Sequence, residues 1–583
     1  MAVWKAQSNM GESDEMIGAG KLHPITIALL KSRGVADDDA MNRFFSPDYA
    51  KDLYDPFLFV QMPKVIDRIR KAKETGERIG IFGDFDVDGV TSSALLRIVI
   101  RDLDIPVSIY IPDKNTEGHG LHTNALEVFK EEGVTLVMTT DCGMSNASEV
   151  DAANALGMDV IIIDHHHVPE VLPKAHAIIN AQMSDSGYPF KGLCAVGTVF
   201  KVAQALYTEF LPDKQDQLKW FLDVVAVGTV ADCMPLIDEN RVMVKYGLIV
   251  LSKTRRIGFQ EMFAVGRIPI DENNVPDSRM IGFQIAPRIN AAGRMAHAQA
   301  AHELLMCEDR VAARGLALDI EANNVARQKI STQTTDQVRK VAEIMYADKK
   351  FIFAVDEHYP LGIIGLVAGR IAHEFNKPTA VFQKGEHESQ GSFRSIPLIN
   401  IIDAIEECRD LLVKFGGHSQ AAGLTIKNEN LEAFYEKLNG IIEKKLEGIV
   451  VEPEIVIDMK LSPYHITPQL VNEIKKMAPF GEGNREPVFM LENMSVQAVR
   501  MVGNGSKHLK LTLRSDEADL PAGQEVQRAF DAIGFNLGTK FPDLTTGQKA
   551  DIVFQLEENV WNGRTTMQLK LIDMRLSALS LRG

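Results

Sequence analysis

The segment Gly83-Asp84-Phe85-Asp86-Val87-Asp88-Gly89 limits what this chain can fold into more than any other. It follows an apolar run, Ile79–Phe82, and precedes a helix-like run, Val90–Ile100. In an extended loop, alternate side chains point the same way, so Asp84, Asp86 and Asp88 are expected to converge. Carboxylates held that close repel one another, and a divalent cation is the usual remedy. A plain turn is the simplest alternative, because Asp and Gly are common turn residues. A calcium EF-hand loop also opens D-x-D-x-D-G, but its twelfth position requires Glu and here holds Leu95. The flank before it reads as strand rather than helix. A metal-assisted catalytic site at a strand end is the reading that remains.

Downstream the same arrangement repeats. Apolar runs Arg78–Phe82, Val107–Ile111, Thr135–Thr139 and Val160–Ile163 are strand-like, with helical stretches such as Ser145–Leu156 between them. Short apolar strands alternating with helices predict a parallel α/β sheet. Thr139-Thr140 leads into Asp141-Cys142-Gly143, and Ile161–Ile163 leads into Asp164-His165-His166-His167. A further acid, Asp232, ends Gly228-Thr229-Val230-Ala231-Asp232 after the apolar segment Phe221–Val227, which is read as a fourth strand end. In open α/β sheets, sites lie beyond the carboxyl ends of the strands.

Each acid alone is an ordinary turn or cap residue, and Asp164 before three histidines can be read as a helix cap on a polar surface. Acids at successive strand ends, joined by imidazole, favour a metal centre instead. Hard ions such as Mg²⁺ and Mn²⁺ prefer carboxylate oxygen, and imidazole shifts the balance toward Mn²⁺ or another transition metal. Asp84, Asp86, Asp141, His165 and Asp232 supply enough ligands for two ions sharing a carboxylate, the standard clamp for attack at phosphorus.

Composition is that of an ordinary globular protein, and 583 residues allow several domains. No apolar run is long enough to span a membrane, and no secretory leader is visible. Five scattered cysteines without C-x-x-C spacing predict reduced thiols in a cytoplasm, Cys142 and Cys233 being small packing residues before soft ligands. The net charge of −16 predicts weak, salt-sensitive non-specific binding to nucleic acid, while leaving room for a local basic groove.

Along the chain, residues 1–55, with helical patterns at Pro24–Ser32 and Asp38–Phe45, are read as an N-terminal cap on the first domain, which covers 56–306. The run Glu308–Ala347 holds no proline and a single glycine, and predicts a connecting helix over 307–347. A second α/β lobe follows over 348–450, with strands Phe351–Val355 and Thr379–Phe382 around a helix, Gly365–Phe375. The last segment, 451–583, alternates strand-like runs with turns and predicts a small β-barrel.

Four of these segments, Gly83–Gly89, Thr140–Gly143, Asp164–His166 and Gly228–Asp232, resemble in order the motifs of the DHH phosphoesterase superfamily. Phe415-Gly416-Gly417-His418-Ser419-Gln420-Ala421-Ala422-Gly423 is similar to the signature of its associated second lobe. Pro287–Arg294 and Gly391–Ser395 resemble segments of one branch, the RecJ-type single-strand exonucleases. The resemblance spans roughly residues 56–583. It implies a 5′→3′ exonuclease that releases 5′-mononucleotides from single-stranded DNA, acting in repair and recombination. It also implies a two-metal Mn²⁺ or Mg²⁺ site held by Asp84, Asp86, Asp141, His165 and Asp232, with Asp86 bridging. Asp164 and His166 would orient ligands or touch phosphate, and Asp88 would support a ligand or shape the loop.

The same resemblance assigns phosphate and DNA contacts to Arg288, Asn290, Arg294, Ser392, Arg394, Gly416, Gly417 and His418. Guanidinium forks bind phosphate bidentately, and glycine lets backbone N–H groups approach it. The sequence departs from the branch after the second strand, where an Arg and a Gly-Tyr-Gly-Leu run are usual. Lys114 stands here with the charge but not the fork, and His119 replaces the aromatic hydroxyl. The C-terminal segment resembles an OB-fold, in which Lys507, Lys510, Arg514, Arg564 and Lys570 track phosphates and Phe535 and Trp561 stack on bases, or else pack in the core. Implied partners are single-stranded DNA, a helicase and a single-strand-binding protein, with no membrane, and the chain is expected to be a monomer. A phosphodiesterase for short oligonucleotides or cyclic dinucleotides, and a non-catalytic DNA-binding scaffold, are the competing functions.

Overall fold

Five short buried runs pair into one parallel sheet: β1 (Arg78–Gly83), β2 (Val107–Tyr110), β3 (Val134–Thr140), β4 (Asp159–Ile163) and β5 (Ala177–Ile179). Their order is β2-β1-β3-β4-β5. The sheet reverses direction of progression between β1 and β3, which opens a crevice at their carboxyl ends. Helix α1 (Val87–Asp102) follows β1, and α2 (Ala195–Phe210) and α3 (Leu222–Ala231) pack against it. These coordinates are a computed structural model that describes residues 3–6, 22–114, 116–295, 297–515, 529–561 and 564–577, side chains at 560, 561, 564 and 565 excepted.

The segment Phe221–Val227 is not a strand. Leu222–Ala231 is a helix with eight consecutive buried residues, Leu222 to Thr229. A helix apolar on every side has the same uninterrupted pattern as a buried strand, and periodicity cannot separate the two.

After α4 (Ala286–Met295), the single helix α5 (Arg310–Met345) runs for 36 residues, about 54 Å. The lobe beyond it holds β6 (Ile352–Asp356), α6 (Leu361–Phe375), β7 (Thr379–Lys384), β8 (Glu388–Arg394), β9 (Leu412–His418) and β10 (Ala421–Lys427). Its sheet runs β9-β10-β8-β7-β6, parallel only between β6 and β7. Its core includes Val338 and Ala342 of α5, so the helix is built into this lobe rather than tethered to it.

By internal contacts the chain forms two units: Leu53–Met234 with Glu239–Glu452, and Met1–Asp52 with Pro235–Asp238 and Pro453–Gly583. The second unit is a closed five-stranded barrel of β11 (Phe489–Val502), β12 (His508–Arg514), β13 (Ala529–Gly534), β14 (Lys549–Trp561) and β15 (Arg564–Leu576). Its ring runs β11-β12-β13-β15-β14 and returns to β11. Helices Pro24–Ser32 and Asp38–Phe45 form where the sequence predicts them but not as a cap on the first domain. Ile25, Leu29, Leu30, Met41 and Phe44 are buried in the barrel's own core. Among the described residues, no helix is long and apolar enough to cross a membrane.

Candidate metal centre and nucleic-acid interface

Alternation of the carboxylates stops one residue earlier than the sequence reading expects. Asp86 caps α1, its Oδ1 accepting hydrogen bonds from the N–H of Asp88 at 2.9 Å and of Gly89 at 3.1 Å. Asp88 therefore lies in the first helical turn. Its two oxygens accept from the N–H groups of Ala195 (2.7 Å) and Val196 (2.9 Å), at the start of α2. Gly89 is required by a close approach: a Cβ there would sit 2.4 Å from the carbonyl oxygen of Asp84. Asp141, after β3, has φ 64°, a left-handed conformation rarely held by a non-glycine residue and frequent at functional sites.

Asp164, after β4, accepts from the N–H of Met144 (3.1 Å) and of His165 (2.7 Å), and pairs with His166 Nδ1 at 2.7 Å. Asp232 is the C-cap of helix α3 rather than a strand end. Gly228, one turn before it, lets α3 close on its neighbours, since a Cβ there would lie 2.5 Å from Thr91 Oγ1 and 2.6 Å from Val196 Cγ1. Gly228→Ala is expected to lower stability by about 1–3 kcal/mol through overpacking. A chemical-unfolding midpoint left unchanged would mean the helices separate freely at this point.

The ligand atoms fall into three overlapping groups, each within 4.8 Å: Asp84, Asp86 and Asp141; Asp88, His165 and Asp232; Asp141, His165 and His166. Asp141, not Asp86, is the carboxylate common to two of them. His165 Nε2 lies 3.1 Å from Asp141 Oδ1, 3.6 Å from Asp232 Oδ2 and 3.8 Å from Asp88 Oδ2. His119, which the sequence reading treats only as a departure, is 2.9 Å from Asp84 Oδ2 through Nδ1.

Burial and mutual repulsion raise the acids together. Burial and the charge of Asp86 push Asp88 up to about 7, and burial with Asp88 and Asp86 pushes Asp232 up to about 8. Asp141 is raised well above the usual carboxylate range by burial and by Asp88, Asp86 and Asp84. The two histidines diverge. Burial and the neighbouring His166 lower His165 to about 4, so its imidazole is neutral at pH 7 and has a lone pair to give. The hydrogen bond to Asp164 raises His166 to about 9 against the effect of burial, which makes it an imidazolium.

The donor set fits a divalent cation. Asp84 Oδ1 is buried with no hydrogen-bond partner, and Asp141 is raised by burial and by the neighbouring carboxylates of Asp88, Asp86, Asp84 and Asp164. An orphaned buried carboxylate oxygen among like charges is what a hard cation relieves.

Two cations, Lys114 and Arg294, lie within electrostatic reach of Asp86, and Arg394 lies within reach of both. Lys114 Nζ lies 5.3 Å above the Phe85 ring, whose other neighbour is His119 at 4.3 Å. Burial and Arg294 lower Lys114 to about 8, against the pull of Asp86 and Asp84. Burial, Arg327 and Arg394 lower Arg294 to about 10. Arg294 Nη1 donates to the carbonyl of Gly362, whose missing Cβ would stand 2.5 Å from the carbonyl of Arg294. Arg288 is not among these cations, contrary to the sequence reading. Its guanidinium is held by Glu321, at 2.6 Å from Nε and 3.1 Å from Nη2, and by the carbonyl of Gln284 at 2.6 Å. Asn290 is half-buried on α4.

On the second lobe, the paired residues form rows across the sheet. Arg394 pairs with Ala421 and Ala421 with His418, while Ser392 pairs with Gly423 and Gly423 with Gly416. Gly416, Gly417 and His418 are exposed on edge strand β9. Among the described residues, no hydrogen bond or ion pair joins them to the carboxylates.

Comparisons with known proteins place this geometry. Residues 78–229 match the model of the DHH family, N-terminal domain, 348–444 that of the DHHA1 domain, and 457–573 that of the RecJ OB domain. The single-stranded-DNA-specific exonuclease RecJ of Bacillus subtilis (strain 168) is 36% identical over 560 residues, covering 96% of this chain and 69% of the relative. The chain belongs to the RecJ family. The Haemophilus influenzae Rd member is 30% identical over 569 residues, 94% of this chain and 96% of its own. The RecJ crystal structure from Thermus thermophilus in complex with Mn²⁺ superposes with a TM-score of 0.81 at 25% identity, over 99% of this chain and 80% of that one.

In the RecJ OB domain the register places Lys510 opposite Ile533, and Ile533 opposite Lys570, so the two lysines share one row with a strand between them. Lys507 and Lys510 are exposed, and Arg514 and Lys570 are half-buried. Phe535 is 53% exposed and meets His508 edge-on, which removes it from the core. The side chains of Trp561 and Arg564 lie outside the described residues.

Proposed function

We propose that this chain is a metal-dependent 5′→3′ exonuclease that releases 5′-mononucleotides from single-stranded DNA during repair and recombination. The observation that carries this reading is one constellation in which buried acids and a neutral His165 stand within reach of Lys114 and Arg294, with Arg394 beside those two cations. Asp84, Asp86 and Asp141 would hold one Mn²⁺ or Mg²⁺, and Asp141, His165 and Asp232 a second, which together supply an activated water and charge stabilisation at phosphorus.

The residues do the rest. Asp88 binds no metal in this reading; it ties α1 to the start of α2. Asp164 orients the two histidines, and the cationic His166 faces the developing negative charge on the phosphate. Lys114, Arg294 and Arg394, with Ser392 beside them, take the phosphate at the 5′ end, and this gives direction. Asn290, Gly416, Gly417 and His418 line the strand's path on either lobe. The exposed Phe535 and the Lys510–Lys570 row of the OB domain suit stacking and backbone tracking.

The reading extends to a helicase and a single-strand-binding protein, because duplex must be opened before such a site can act. The five cysteines, all free, support a reducing, cytoplasmic setting, and the chain is read as a monomer. Digestion of single-stranded DNA labelled at either end, with Mn²⁺, Mg²⁺ or EDTA, is the test. Early release of label from the 5′ end only, abolished by EDTA, is expected. Release from the 3′ end would move the terminal-phosphate site off the three cations. Inertness toward long strands with hydrolysis of dinucleotides would make the chain a phosphodiesterase of short substrates.

A further inference from the structure

The long helix α5 has one buried stripe, and its character changes along its length. At the two ends it is apolar: Ala313, Ala317 and Ile320, then Val338 and Ala342. The middle is equally buried but polar, with Asn324, Arg327, Ser331, Thr334 and Thr335. Three of these keep buried polar atoms without a partner: Asn324 Nδ2, Arg327 Nε and Ser331 Oγ. Arg327 is 9% exposed, and its Nη2 donates to Asn324 Oδ1 at 2.8 Å, which orients both side chains. Positions 324, 327 and 331 lie on one helical face. Buried polar atoms are rarely left unsatisfied, and several in line mark a ligand or ordered solvent.

Thr335 of this stripe also lines a groove of about 730 Å³ between α5 and α6, with Gly365, Gly369, Arg370 and Arg394 among others. The Arg394 side chain lies across α6 at Gly365 and Gly369, one turn apart, 3.6 and 3.7 Å from where their Cβ atoms would stand, an ordinary contact distance. Arg370 is exposed on the rim, and no described residue pairs with it. The electrostatic influence of Arg327 reaches Arg294 on one side, and that of Arg370 reaches Arg327 on the other. Arg327 lacks a carboxylate partner, and the two acids that line the groove, Asp336 and Glu374, are both paired with Arg339. A phosphodiester matches such a set, since it brings charge and several acceptor oxygens at once.

We propose that the polar middle of α5, with Arg327 at its centre and Arg370 across the groove, binds a backbone phosphate of the single strand in addition to the one at Lys114, Arg294 and Arg394. This rests on the exonuclease reading and adds a second grip on the strand. Substrate hold is thereby built into the connecting helix itself.

The test uses the full chain and a fluorescent oligonucleotide in EDTA, with anisotropy measured across a salt series. Arg327→Ala is expected to weaken binding about tenfold and to lower the salt slope by about 0.7, the share of one phosphate contact on a single strand. Arg327→Lys should restore the slope but not all the affinity, because charge returns without the fork. Arg370→Ala, at an exposed position that cannot unfold the chain, should lower the slope in the same direction. Slopes unchanged in both alanine variants would overturn the proposal and leave ordered water as the partner of the stripe. If Arg327→Ala does not fold, Arg370→Ala decides alone. Wild-type cleavage, assayed separately, tests the exonuclease reading, so the two can fail independently.

Discussion

Asp141→Asn is expected to reduce cleavage of single-stranded DNA by about 10³-fold or more while making the metal-free protein melt higher. Both effects follow from its position. Asp141 belongs to two of the three ligand groups and is buried among Asp84, Asp86, Asp88 and Asp164. In the presence of metal its loss breaks the arrangement at the shared point. Without metal, the same substitution removes one titrating carboxyl from a buried, mutually repelling set, a change that is commonly stabilising. A rise of a few degrees in EDTA is expected for a domain of this size. The paired readout separates a damaged fold from a damaged site, because a damaged fold would lower both. Cleavage within tenfold of wild type would give the shared position to Asp86 instead.

The second large effect is a pH dependence that metal should erase. Asp88 near 7 and Asp232 near 8 lie well above the values such groups have in an unfolded chain. A carboxyl whose folded pKa is raised binds its proton more tightly when folded. Its favourable contribution is therefore complete below the unfolded value, near 4, and is lost as pH rises through the folded value. Metal-free protein should lose on the order of 3 kcal/mol between pH 6 and pH 8, the set titrating together rather than group by group. With saturating Mn²⁺, the carboxylates have their counter-charge and the slope should vanish. Urea-unfolding curves at three pH values, with EDTA and with Mn²⁺, check this. Parallel pH slopes in the two conditions would mean that the acids do not take up the ion.

Much of the centre is legible because three of its acids follow short, buried, parallel strands, which are hard to mistake. Asp84, Asp141 and Asp164 stand where β1, β3 and β4 end. Asp232 is found by its motif while its element is misread, since Leu222–Ala231 is buried nearly all round and carries no helical period. Arg288 and Arg294 look alike in sequence, and only the fold reveals Glu321 beside one of them. The contact of His119 with Asp84 has no local signal, because it joins residues 35 positions apart. Strand Phe489–Val502 gives a weak pattern because its alternation breaks at two register shifts, between Leu491 and Met494 and between Val496 and Ala498. The N-terminal helices are placed correctly in the chain but assigned to the wrong partner. Their companions in the barrel core, Leu470 and Phe489 among them, lie more than 400 positions away, beyond any local pattern.

One consequence of the unbroken helix Arg310–Met345 concerns phase. Its C-terminal end is embedded in the core of the second lobe and it packs also against Ile257–Gly266 and α4, so the helix acts as a ruler whose two ends must agree in angle as well as in distance. One inserted residue near its middle would turn the far lobe by about 100° and move it about 1.5 Å, carrying Arg394 out of alignment with Asp86. Two full heptads of growth would nearly keep the angle yet stretch the span by about 21 Å. The length of this element is therefore fixed as tightly as the identity of any ligand, although many of its residues face solvent. In such a chain, a silent-looking insertion far from the carboxylates is as damaging as the loss of one of them.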